Sequence, residues 1–345
     1  MRIAQICPPW LAVPPKGYGG IEWVVALLAD GLVEAGHDVT LFATGDSVTR
    51  AHLSSVFRAA PGPTAINDIE LDAIHAMHAL RDAGGFDVLH VHAPFAAFAG
   101  AVASGVPTVH TVHGAFTERM RALYREAADR AWFVAISEAQ RRSNDDLRYA
   151  GVVHNGVDLD AYPLRTDKDD YVLFLGRAAP EKGWLRAVET CRRSGDRLVS
   201  AVKVATAEEK EEWEERVRPA LASDAEVFLE VDHARKVELL RGAKAVLFPI
   251  DWPEPFGLVM AEAMACGTPV IATPRGAVPE VVEHGVTGWI VDVEGYADAA
   301  AALLGRVGEI DPASCRARVA RYFSKAAMVA GYEKAYARAL EGGDG

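Results

Sequence analysis

The sequence predicts an α/β protein made of two doubly wound parallel-sheet domains facing a shared cleft. Short apolar, β-branched runs alternate with amphipathic helical patterns along most of the 345 residues. The alternation lapses once, over residues 158–170, and then starts again. The length leaves room for about two cores at roughly 150 residues each. A parallel strand needs a crossover of a dozen or more residues to return to the same edge of its sheet, so this alternation reads as parallel sheets covered by helices on both faces.

In the first half the strand candidates are residues 2–7, 38–44, 87–92, 108–113, 132–137 and 152–157. Between the first two, Ile21, Val24, Val25, Leu28, Leu32 and Val33 line one face of a helix that Gly36 stops. Residues 68–82 repeat the pattern, with Ile69, Ile74, Met77 and Leu80 expected to face inward. The uncharged stretch 93–109 contains Pro94 and Pro107, and reads as a buried helix followed by a strand rather than a bilayer span. This half is Rossmann-like. The polar, acidic run DLDAYPLRTDKDD at 158–170 reads as a linker. The second series has strands at 171–177, 198–204, 227–231, 245–250, 269–273 and 288–292. EEKEEWEER at 208–216 reads as a solvated helix face, and 323–340 as a helix that crosses back to the first domain. The expected domains are therefore residues 1–160, 161–322 and a C-terminal helical segment, 323–345.

A net charge of −12, acidic in both halves, argues against a nucleic-acid or anionic-membrane binder. Half of the residues are hydrophobic and 24% charged, which is ordinary for a globular protein. The four cysteines form no CxxC pair, and no signal peptide is visible, so a cytoplasmic protein with reduced thiols is expected. The segment 117–130 nearly balances its arginines with acids and offers at most weak membrane association.

Ligands of open parallel sheets bind beyond the carboxyl ends of the strands, so chemistry is sought in those loops. After the first strand, Gly17, Gly19 and Gly20 lead into a helix N-terminus, where backbone amides can approach an anion. A Pro/Gly turn that merely starts a helix fits this segment equally well, and it is not a dinucleotide fingerprint because Glu22 stands where a glycine is needed. In FLGRAAPEKGW, Arg177 ends a strand and Lys182 lies in the next turn, so both cations can face one diphosphate, although exposed cations are often simply solvated. The segment 249–273 places Glu254 in a loop, breaks at Pro255-Phe256-Gly257, and starts a helix near Leu258 with Glu262 one turn in. Amides at Gly257–Val259 can hold a phosphate or sugar oxygen, and Glu262 can accept from the vicinal hydroxyls of a ribose. Both carboxylates could instead only complement the helix dipole.

EPFGLVMAEAMACGTPV resembles the signature of glycosyltransferase family 4, retaining nucleotide-sugar enzymes of the GT-B fold, with seven residues between its two glutamates. The resemblance extends through GYGGIEWVV, VAISEAQ, VVHNGVD, GRAAPEKG and GAVPEVVEHGVTGWIVD, in order and over most of the chain. It implies that Arg177 and Lys182 grip the donor diphosphate, Glu262 the ribose, and Glu254 a hydroxyl of the transferred sugar. It also implies contacts from the amides of Phe256, Gly257, Leu258 and Val259, an approach by Gly19 or Gly20, and a histidine, His113, near the sugar. The first domain would bind the acceptor and the second the donor. The sequence departs from the family pattern at His154, Ile250, Asp251 and Ala277, and Lys203 occupies a turn where glycines are usual. Those changes bear on base and sugar preference.

No metal and no resident cofactor are expected. His90, His92, His110 and His113 fall close together, but no acid or thiol lies between residues 88 and 117 to support zinc, and interior histidines with ordinary hydrogen bonds are commoner. The DxD strings at Asp158–Asp160 and Asp167–Asp169 lie in the acidic linker, where chance matches are expected. The resulting expectation is a retaining transfer from a nucleotide sugar, UDP-linked ahead of GDP- or dTDP-linked, to a hydroxyl of a small glycan, metabolite or natural product. A nucleotide-sugar isomerase and a non-catalytic nucleotide-sugar binder on the same fold are the alternatives.

Overall fold

The computed structural model describes residues 1–345 except 18, 205, 222–224 and 343–345; Tyr18 of the glycine-rich loop therefore lies outside the described residues. The chain divides into two compact units, residues 1–156 with 325–345, and residues 157–324.

The first unit holds strands β1 (Arg2–Ile6), β2 (Asp38–Phe42), β3 (His52–Ser54), β4 (Val88–Val91), β5 (Thr108–Val112), β6 (Trp132–Ala135) and β7 (Tyr149–Val152). Among the described residues they form one parallel sheet in the order β3-β2-β1-β4-β5-β6-β7. One face is covered by the helices Ile69–Ala79, Ala96–Ala103 and Glu118–Arg125, which bury Phe98, Tyr124 and Phe133 together. Against the other face lie Gly20–Glu34 and Lys325–Glu341, two helices that pack on each other. Gly31 permits that approach, since a Cβ there would press on Val329. Local caps set the helix starts: Asp68 accepts from the amides of Glu70 and Leu71, Thr117 from Met120 and Ser137 from Gln140.

The second unit holds β8 (Val172–Arg177), β9 (Leu198–Lys203), β10 (Glu226–Leu229), β11 (Ala245–Phe248), β12 (Val270–Ala272) and β13 (Gly288–Ile290), parallel in the order β10-β9-β8-β11-β12-β13. Phe174, Trp184 and Trp213 stack with ring centroids 5.7 and 4.6 Å apart.

Four details differ from the sequence reading. The strand expected at 152–157 is β7, several residues earlier, because Tyr149, Gly151 and Val152 pair with Phe133, Val134 and Ala135 of β6. The short β3 has no apolar run to announce it. On the helix Ile69–Ala79 the residues expected inside, Ile69, Ile74 and Met77, are exposed, while Asp72, His75, Ala76 and Ala79 are buried. The acidic run is not wholly solvated, since Glu209 and Trp213 are buried. No helix among the described residues is long and apolar enough to cross a membrane.

Candidate active site

In the second unit the strand order reverses between β8 and β11, whose following connections leave toward opposite edges of the sheet. The loops beyond these two strands meet at that switch point, where ligands of such sheets bind. After β8 a short turn, Pro180–Lys182, ends at Gly183, whose φ of 73° suits glycine and which caps the helix Trp184–Ser194. Gly183 is pressed so closely on Pro249 that a Cβ would overlap the Pro249 carbonyl. The amide of Asp251 donates to the Glu181 carbonyl at 2.8 Å. Arg186 spans the same gap, donating to the Pro249 carbonyl and to the Asp251 carboxylate, each at 3.1 Å. The two loops are thus stapled together.

That stapling brings Lys182 Nζ to 2.7 Å from Glu254 Oε2, with both side chains largely buried. Trp252 Nε1 donates to the same oxygen at 3.0 Å, and the ammonium lies 4.4 Å from the Trp252 ring centroid. Behind Glu254, Gly276 at φ 56° packs its α-carbon on the Glu254 backbone, and the Ala277 amide donates to the Glu254 carbonyl at 2.9 Å. Substituting Gly276 by alanine should displace Glu254 and cost about 1–2 kcal/mol from the left-handed backbone alone, with further loss from the clash. Urea unfolding read alongside activity checks this: a variant with wild-type midpoint and rate would show that the contact does not position Glu254.

Gly257, at φ 80°, caps the helix Leu258–Ala265. The Met260 amide bonds the Gly257 carbonyl at 3.0 Å, while the amides of Leu258 and Val259 ahead of it have no carbonyl one turn back, so the positive end of the helix is available to an anion or a sugar oxygen. The Phe256 side chain is buried against Phe323, so only its backbone can serve a ligand. One turn in, Glu262 Oε1 accepts from Tyr162 Oη and from Lys236 Nζ, each at 2.6 Å. Burial and the Glu262 charge push the Tyr162 phenol far up, so it stays a hydrogen-bond donor. Arg177 ion-pairs with the buried Glu209, which also closes a capping box with Thr206. A cavity of about 520 Å³ beside Arg177 is lined by six glutamates, Glu181, Glu208, Glu209, Glu211, Glu212 and Glu215, against two cations, Arg177 and Arg216, a balance unsuited to a diphosphate. Lys182, Glu254, Gly257 and Glu262 thus lie on the two facing loops and the following helix, while Arg177 turns its charge on Glu209.

In the first unit Gly19 caps the helix Gly20–Glu34, and a side chain there would collide with Glu22 and Pro15. His113 follows β5. Its Nε2 lies 2.8 Å from His92 Nδ1, and His92 Nε2 lies 2.7 Å from the Gln5 carbonyl oxygen. His90 is bonded at both nitrogens, to Tyr336 and Thr111. His110 turns the other way, packing on Phe98 and bonding Tyr124 and the Val91 carbonyl. Seven of the eight imidazole nitrogens thus take hydrogen bonds among the described residues, His113 Nδ1 being the exception, and the four rings do not converge on one point. Burial holds His110 and His113 down at about 3, and His90 and His92 well below the ordinary value.

Lys236, Tyr162, Trp252 and Glu209 escaped the sequence reading. Trp252 lies inside the 249–273 segment and could have been noticed. Lys236 and Tyr162 sit in a helix and in the apparent linker, with no local signal.

A family model for glycosyltransferase family 4 matches residues 18–161, and one for glycosyl transferases group 1 matches residues 160–322. The phosphatidyl-myo-inositol mannosyltransferase of Mycolicibacterium smegmatis is 30% identical, covering 88% of this chain and 84% of its own. The chain belongs to glycosyltransferase family 4. It is accordingly a glycosyltransferase with a nucleotide-sugar donor and the GT-B fold. The glycogen synthase of Mycobacterium tuberculosis is 29% identical over 93% of this chain and 89% of its own. The crystal structure of AviGT4, a glycosyltransferase involved in avilamycin A biosynthesis, matches with a TM-score of 0.76 at 29% identity, over 99% and 98% of the two chains. These relatives differ widely in what they act on.

Proposed function

We propose that this glycosyltransferase moves a sugar, with retention of configuration, from a UDP-sugar to a hydroxyl of a small glycan, metabolite or natural product. The observation that carries the reading is the Lys182–Glu254 pair, held by two stapled loops beside the N-terminus of the helix Leu258–Ala265. As the glycosidic bond to the diphosphate lengthens, charge grows on the leaving oxygens. Lys182 and the helix amides from Gly257 onward are the groups to receive it, and Arg177 joins them by giving up its pair with Glu209. The amides of Phe256, Leu258 and Val259 share this work with Gly257, and Gly19 or Gly20 serves the diphosphate from the first unit. Both bonds to Glu254 go to Oε2, which leaves Oε1 for a hydroxyl of the transferred sugar. Likewise Lys236 and Tyr162 share Oε1 of Glu262 and hold it for the ribose hydroxyls. His113 contacts the sugar from the first unit. The first unit takes the acceptor and the second the donor. The leaving group is stabilised by cations and amides, so no divalent metal is required.

A panel of UDP-, GDP- and dTDP-sugars, scored by protection against thermal unfolding, tests the donor, because a ligand that binds only the folded state raises the melting temperature. UDP-sugars should protect best. Glu262→Ala should lose protection for every nucleoside, by about tenfold or more in affinity; wild-type binding by that variant would remove the ribose role. Nucleoside diphosphate release that depends on an added alcohol supports transfer, whereas donor interconversion without one would support an isomerase.

A further inference from the structure

The buried side chains between the first sheet and the helix Lys325–Glu341 form one continuous line of hydrogen bonds that packing does not require. At its centre is Gln5, on β1 and fully buried. Its amide nitrogen donates to Tyr336 Oη at 2.8 Å, and its carbonyl oxygen faces His92 Nε2 at 2.7 Å. An amide oxygen only accepts, so the hydrogen in that second bond is on His92 Nε2. A neutral imidazole carries one hydrogen, which leaves His92 Nδ1 as an acceptor, 2.8 Å from His113 Nε2. His113 Nε2 is then the donor, and His113 Nδ1 holds a bare lone pair. On the other arm Tyr336 Oη accepts from Gln5 and donates to His90 Nδ1 at 2.7 Å, and His90 Nε2 donates to Thr111 Oγ1 at 2.8 Å. Tyr332 Oη, 3.0 Å from Thr111 Oγ1, ends the line and accommodates either direction.

Only one other arrangement satisfies every bond and leaves no buried hydroxyl hydrogen unbonded. In it each hydrogen is reversed and the Gln5 amide is turned end for end. His113 would then present an N–H where it now presents a lone pair. Among these side chains Gln5 is the one with a fixed donor end and a fixed acceptor end. Burial keeps the histidines of the line neutral, so none escapes the choice by taking a second proton.

We propose that Gln5 is a positioning residue that acts through His92 to hold His113 in the Nε2–H form, so that Nδ1 accepts a hydrogen bond from a hydroxyl of the transferred sugar. The tautomer follows from the orientation of the Gln5 amide, nitrogen toward Tyr336 and oxygen toward His92; its use rests on the reading of His113 as a sugar contact. A sugar hydroxyl that donates to His113 is distinguished from an ether or acetyl oxygen at the same place, which cannot donate.

The test uses the full-length protein labelled with nitrogen-15 in its histidines, with His113 assigned by the signals that vanish in His113→Asn. Long-range proton–nitrogen correlation at pH 8 should show His113 Nε2 protonated and Nδ1 in the range of a bare ring nitrogen. The opposite tautomer, or a mixture, overturns the proposal. In Gln5→Leu the His113 signals should move to a mixture and the donor KM should rise about threefold to tenfold at nearly unchanged kcat, since only a fraction of molecules present the lone pair. Should that variant not fold, the spectrum of the unsubstituted protein still decides the tautomer. A bare Nδ1 combined with unchanged donor KM and kcat in His113→Ala overturns the sugar contact, and with it the purpose of the relay, while the tautomer itself stands.

Discussion

Alanine in place of Lys182 should lower kcat by about two to three orders of magnitude, the loss seen when one preorganised donor to a developing negative charge is removed. The ammonium is 2.7 Å from Glu254 and largely buried, so it works in a medium that screens charge less than water does. Its removal has two consequences. On the proposed role the leaving diphosphate loses a cation, and among the described residues the Glu254 carboxylate keeps the Trp252 indole as its partner. A paired substitution, Lys182→Ala with Glu254→Gln, separates them: it relieves the uncompensated carboxylate but does not restore the cation. The double variant should regain stability and remain slow. Steady-state release of nucleoside diphosphate in the presence of acceptor measures the rate, and thermal shift measures donor binding. A kcat within about threefold of wild type in the single variant would show that Lys182 does not serve the leaving group.

Acidification should destabilise the first unit. Burial holds His75 at about 4 and His110 and His113 at about 3, against 6.5 in an unfolded chain. The folded pKa values lie below the unfolded ones, so between pH 6.5 and about 4 the unfolded chain binds more protons. The stabilisation is complete above 6.5 and is lost as pH falls through that window. One unit below 6.5, each such imidazole has given up about 1.4 kcal/mol, so three give up about 4 kcal/mol, a large part of a typical domain's 5–15 kcal/mol. His90 and His92 add to the same direction. Asp72, whose carboxyl burial raises, works the other way and offsets part of the loss at lower pH. Calorimetry at pH 7.5 and pH 5.5 should show a marked fall in melting temperature. An unchanged profile would mean that the imidazoles gain compensating partners when they charge.

Much of the candidate site was legible because its residues are neighbours in sequence. Glu254, Gly257 and Glu262 lie within one loop-and-helix segment, and the glycine that breaks the loop also starts the helix whose second turn carries Glu262. Arg177 and Lys182 likewise share one strand end and its turn. What those side chains do to one another was not legible. Arg177 was paired in expectation with Lys182, yet its nearest partner is Glu209, 32 residues on, from a run that looked like solvated surface. The run misled because one carboxylate among many is buried when its helix start, Thr206 to Glu209, is capped against the strand end.

The order of apolar runs and helical faces determined the parallel α/β architecture, since strand and crossover lengths are properties of consecutive residues. The glycines of the loops did the same for the turns, through backbone angles that a local segment sets by itself. Tertiary structure alone decided that Glu262 is shared by Lys236 and Tyr162, that Gly276 backs Glu254, and that Gln5 joins two arms of a hydrogen-bonded line, one through His92 to His113 and the other through Tyr336 of the C-terminal helix to His90. These are contacts between residues 21 to 331 positions apart, formed only when burial withdraws each group from water and leaves it one or two polar neighbours to bond.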